Sequence, residues 1–98
     1  MDWSRFSPFG KQTGLTVDNT EAGISLTVPS GPKARAALVQ VFTAPVRFWV
    51  DGTAPTTTTG HRADVYEVIE LTNPAEISNF KAIRETGVSA TLEVTYLV

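Results

Sequence analysis

The chain predicts an all-β domain, an antiparallel β-sandwich or jelly-roll-like fold of about seven short strands. Three observations carry this. Among the 98 residues are 14 Thr, 11 Val and 4 Ile, against only six Leu. Such β-branched side chains lose rotamer freedom in helices and pack well on a pleated surface. Apolar and polar residues alternate with period two in several short runs. Gly, Pro and Asn clusters punctuate those runs at hairpin spacing, and no long helical period intervenes.

Residues 1–13 show neither period, although Trp3, Phe6 and Phe9 fall within seven residues. Ser7-Pro8 disfavours helix. Large aromatic rings seek burial, so this segment reads as an aromatic N-terminal arm, ahead of a β-sandwich domain over 14–98. It either covers one end of its own core or docks on a neighbouring subunit. Leu15–Val17 reads as a short strand. Ala22–Val28 alternates, with Ile24, Leu26 and Val28 on one face. Pro29-Ser30-Gly31-Pro32 ends it.

Arg35–Phe42 is nearly continuously apolar, as for a strand covered on both faces. Val46–Val50 follows, with Val46, Phe48 and Val50 on one face and Arg47 and Trp49 on the other. Trp49 needs a cover of its own. The strand stops at Asp51-Gly52 and opens into the ten-residue loop Asp51–Gly60, with threonines at Thr56, Thr57, Thr58 and Thr59. Loops of this length inside a compact domain are often functional. Ala63–Leu71 reads as one strand of ambiguous core face, since each side carries a Glu. In Thr72–Asn79, Asn73 is a cap, Pro74 suits the first helical position, and Glu76 sits where a capping-box Glu belongs. One helical turn over 74–79 is expected. Phe80–Arg84 is a short strand, Gly87 marks a turn, and Ser89–Val98 is the clearest strand, with Ala90, Leu92, Val94 and Tyr96 facing the core.

Composition bounds the chemistry. A net charge of −2 gives no reason to expect nucleic-acid binding. Residues 1–50 carry more basic than acidic groups and residues 51–98 the reverse, which would polarise the molecule only if the halves did not interleave. Absent cysteine excludes disulfides and thiolate metal sites. No stretch approaches membrane-spanning length. The N-terminus lacks the basic and apolar regions of a signal peptide. The single histidine, His61, has Asp64 three residues on, too few ligands for a metal site. No nucleophile elbow supports a Ser-His-Asp triad. Glu67 and Glu70 point to opposite faces of a strand, and Asp64 lies roughly 20 Å from Glu70 in an extended run, too far for a glycosidase pair. Arg47 and Trp49, with Lys33 and Arg35, lack the basic groove of a single-strand binder. No enzyme, cofactor or metal is expected. The contact candidates are Trp3, Phe6, Phe9, Trp49 and Thr56–Thr59.

The stretch V-R-F-W-V-D-G-T-A-P-T-T-T-T-G, followed by I-S-N-F-K-A-I-R-E-T-G-V-S-A-T-L-E-V-T-Y, resembles a group of small virion structural proteins of tailed bacteriophages. The shared pattern is an apolar-Arg strand, D-G-T-x-P-T, a distal Gly, K-x-I and a closing A-T-L-x-V-x-Y strand. It covers Ala36–Val98. Matching residues are Arg47, Asp51, Gly52, Thr53, Pro55, Thr56, Gly60, Lys81, Ile83, Ala90, Thr91, Leu92, Val94 and Tyr96. The chain departs at Thr72-Asn73-Pro74-Ala75, where that group tends to carry a Gly-containing turn, and the segment 1–13 lies outside the pattern. The resemblance implies a non-enzymatic virion component, most simply a head decoration (cement) protein on the capsid exterior. Its partners would be major capsid or other virion subunits, and the chain would be a homo-oligomer, commonly a trimer. A neck, tail or fibre-associated interaction protein is the alternative. No membrane or nucleic-acid partner is implied.

Overall fold

The computed structural model describes the backbone of residues 3–98 and the side chains from Ser4 onward. A short 3-10 turn, Trp3–Arg5, precedes the first strand. The strands are β1 (Pro8–Val17), β2 (Ala36–Phe42), β3 (Val46–Trp49), β4 (His61–Ala63), β5 (Val68–Leu71), β6 (Lys81–Arg84) and β7 (Ala90–Leu97), with α1 (Pro74–Asn79) between β5 and β6. They form two antiparallel sheets, ordered β1-β7-β2-β5 and β4-β3-β6. The expected all-β antiparallel sandwich is the fold.

Register and burial agree on which face is inside. Across the larger sheet, Gln12, Val94, Val39 and Ile69 are register partners, as are Tyr96, Ala37 and Leu71. Side chains of register partners share a face. Val39, Val94, Leu92, Tyr96 and Leu71 are buried, and they meet Val46, Ala82 and Phe80 of the smaller sheet and its approach. Phe48 stacks on Phe80 at 5.7 Å. Tyr96 is wholly buried, and its hydroxyl donates to Gln12 Oε1 at 2.9 Å. Burial pushes its phenol up from 10.0 to about 12.

The helical turn forms as expected. Asn73 accepts from the Glu76 amide at 3.0 Å, and Pro74 opens the turn. Glu76 reaches one residue beyond the usual capping box, accepting from the amide and hydroxyl of Thr72.

Three elements differ from expectation. The separation of an arm over 1–13 from a domain beginning at 14 falls inside β1, because Pro8–Val17 is a continuous strand paired with β7. Its alternation is hidden by register shifts between Pro8 and Gly10 and between Gln12 and Leu15. Gly14, with φ +63°, sits in the second shift, and its amide donates to Glu93 Oε1. Each bulge inserts a residue and inverts the pattern beyond it. Ser7 and Val98 exchange backbone hydrogen bonds at 2.9 Å, extending the pairing to Ser7.

Ala22–Val28 is not a strand. Only Ile24 bridges, exchanging bonds with Ala82. Ile24 and Leu26 pack on the core, while Val28 is exposed. The segment turns away to lie against β1, where the Thr27 amide donates to Gln12 Oε1.

Ala63–Leu71 is not one strand: it holds the last residue of β4, a turn over 64–67, and β5 in the other sheet, which is why no single core face could be read. The break is a turn, with the Glu67 amide on Asp64 O at 3.1 Å. Asp64 Oδ1 accepts from the Val65 amide, and Glu67 Oε1 accepts from the Asp64 amide. Tyr66 occupies the third position of this turn at φ +73°, where glycine is the ordinary occupant. A second crossing between sheets, after β2, is equally tight. The Ala44 amide bonds Phe42 O across Thr43 at φ +78°, the arrangement of a strained γ-turn. The two corners touch: the Tyr66 amide donates to Val41 O, and the Phe42 and Tyr66 rings meet edge-on at 5.6 Å.

Candidate functional site

The loop after β3 folds back on its own sheet. Asp51 accepts from the Thr53 amide at 3.0 Å, and that bond holds its carboxyl below the ordinary range. Pro55 is buried, wedged near Gly23 and Gly60. Gly60 takes φ +119°, and a Cβ there would stand 3.1 Å from Phe48 O and 3.2 Å from Pro55 Cβ. Arg47 closes the loop by donating to Gly60 O at 3.1 Å.

Three of the four threonines, Thr56, Thr58 and Thr59, bind one another. Thr56 Oγ1 lies 2.7 Å from Thr59 Oγ1 and accepts from the Thr58 and Thr59 amides, while the Thr56 amide donates to Thr59 O. All four remain exposed. Thr56 and Thr57, with Asn19, Glu21, Ala54, Pro55 and Ile83, line an open hollow of about 580 Å³.

Trp49 and Arg47 lie on the outer face of the smaller sheet. The Trp49 ring meets His61 edge-on at 5.1 Å, and His61 also leans on Phe48 at 5.4 Å. Histidine is therefore part of the cover that Trp49 required, and Trp49 is half-buried. Arg47 donates to Glu85 Oε2 at 2.7 Å, and Arg62, its register partner, donates to both oxygens of Glu85. Arg62 first, and Arg47 with it, holds the Glu85 carboxyl below the ordinary range. Arg62 also pairs with Asp64 at 3.3 Å. Asp64 is held low by the Val65 amide and by Arg62. Arg62 thus goes to Glu85 and Asp64, and Lys81 donates to Ser25 Oγ.

The aromatics near the N-terminus divide. Phe9 packs on the core beside Gly31. Phe6 is half-buried, with the Arg35 guanidinium 5.3 Å above its ring. The side chain of Trp3 lies outside the described residues. Phe6 and Phe9 therefore have neighbours different from those of Trp49 and the threonines.

Among the described residues, no group of three or more His, Asp or Glu could hold a metal ion. No helix among them is long and apolar enough to cross a membrane. A second open groove of about 510 Å³ runs between the Pro29–Ala34 segment and α1, lined by Leu26, Val28, Pro74 and Ile77.

Sequence reasoning missed Glu85, which ties two arginines. It also missed Phe42 and Tyr66, which present rings at a strained corner. The charge alternation of Arg47, Arg62 and Glu85 becomes a signal only once their strands are paired. No family model, curated protein or solved structure matches the chain.

Proposed function

We propose that this chain is a non-enzymatic structural protein of a tailed-bacteriophage virion, a decoration protein that bridges major capsid subunits on the outside of the head. One observation carries the reading. The residues shared with the small virion proteins have structural duties in this fold: Arg47 closes the loop on Gly60, Pro55 plugs it, and Leu92, Val94 and Tyr96 fill the core. The resemblance thus falls on a packed unit rather than on a run of common residues.

The self-bonded threonine turn supports a contact role. Its backbone is held by its own hydrogen bonds, so the loop loses little conformational entropy when a partner docks. A decoration protein acts by mass action: binding the expanded shell and not its precursor stabilises the expanded state.

The test is purified chain added to expanded and unexpanded heads, followed by sedimentation, together with its copy number in virions. Binding to expanded heads alone, with copies in the hundreds, supports the reading. A ring's complement of copies at the neck or tail assigns it to the alternative location, and absence from virions overturns both.

A further inference from the structure

We propose that two copies of this chain associate face to face through the outer surface of the larger sheet, about a two-fold axis parallel to its strands. The two sheets of one molecule differ in what covers them. The smaller is closed outside by the Asp51–Gly60 loop and the Arg47–Glu85–Arg62 bridge. The larger presents three rows of register partners: Lys11, Thr95, Leu38 and Glu70; then Glu93, Gln40 and Val68; then Thr16, Thr91 and Phe42, with Tyr66 beside them.

The first row is charged oppositely at its two ends. Lys11 lies on one edge strand and Glu70 on the other, both exposed, and neither is ion-paired among the described residues. Three strand spacings separate them by about 14 Å, too far to pair within one chain.

A two-fold axis along the strands reverses each row onto itself. Lys11 then faces Glu70 of the second copy, and Glu70 faces its Lys11. Leu38 meets the Thr95 methyl, Glu93 meets Gln40, and Phe42 meets Thr91. Aligned packing of two sheets has this strand direction. A two-fold across the strands instead sets Glu93 against Glu93, a like-charge contact.

Tyr66 sharpens the case. It is 68% exposed at φ +73°, and Val68 beside it is 50% exposed. Glycine would take that backbone without strain, so the ring is kept there at a conformational cost. In the two-fold pair it reaches Thr16 of the second copy. The face is about 19 Å by about 20 Å, below the size of stable interfaces and in the range of weak, transient ones, so a dimer weaker than micromolar is expected.

Sedimentation velocity of the full chain over a wide concentration range, at low and high salt, tests this without reference to any capsid. Wild type is expected to dimerise, more weakly in high salt. Lys11→Glu and Glu70→Lys are each expected to weaken dimerisation about tenfold, because symmetry makes the lost pair occur twice. The double variant is expected to restore it. Tyr66→Gly is expected to weaken association while leaving the thermal midpoint unchanged or higher, a combination that a structural role for the ring does not produce. A monomer at every concentration, a trimer, or a dimer indifferent to the single charge swaps overturns the proposal.

Discussion

The larger sheet is held by its backbone, and the smaller one by its side chains. β1 and β7 run for ten and eight residues and β2 for seven, so each ladder has many rungs. β3, β4 and β6 span four, three and four residues. Ladders that short are marginal alone. The small sheet is secured instead by a loop packed through Pro55 and by one glutamate between two arginines. The same residue types therefore do different work on either side of the core. On one side threonines sit within strands, and on the other they tie a loop to itself.

The largest expected effect comes from cutting the long ladder. Deleting residues 1–12 removes half of β1 and uncovers β7, and is expected to abolish cooperative unfolding in a denaturant melt. Deleting residues 1–5, which hold no part of β1, is expected to preserve it. Equal damage from both deletions would mean that β1 contributes no more than the segment before it.

A glycine pair compares the two sheets at smaller scale. Gly60→Ala meets both a positive φ and two close neighbours, so a loss of about 2–3 kcal/mol is expected. Gly14→Ala, in the bulge of β1, meets open space at φ +63°, and the strain alone costs about 1 kcal/mol. Urea melts rank the two. A greater loss at Gly14 would show that the bulge, not the loop, is the tighter device.

The smallest effect is electrostatic. Arg62 and Arg47 lower the Glu85 carboxyl in the folded state. Its contribution is therefore complete above the ordinary carboxylate range and is lost as pH falls through the depressed value. Glu85→Gln is expected to melt earlier than wild type at neutral pH, with the gap closing below about pH 4. A gap that stays constant with pH removes ionic pairing as its cause.

How much of this was legible depended on whether the cue was local. Asn73, Pro74 and Glu76 announce the helical turn within four residues. The alternation of Ala90–Tyr96 announces β7, and that of Val46–Val50 places Arg47 and Trp49 outside. Only the end of β1, Leu15–Val17, was legible, because its two bulges invert the alternation before it. The run Ala63–Leu71 misled because it joins the end of β4 to β5 through a corner made by Asp64 and Glu67 carboxylates rather than by Gly or Pro. The contact candidates were chosen for aromatic or polar content. Yet Phe9 is spent on the core and Trp49 is shared with His61, pairings across 22 and 12 positions of chain in the case of Phe9–Gly31 and Trp49–His61.

The order β1-β7-β2-β5 places the last strand between the first two of its sheet. A nascent chain leaving the ribosome holds β1 and β2 with no neighbour to join them until residues 90–97 emerge. Closure of the larger sheet therefore waits on β7, and with most contacts long-range in sequence it is correspondingly slow. Until then two strand edges stand open, and this interval is when the chain is most exposed to mispairing with other copies of itself.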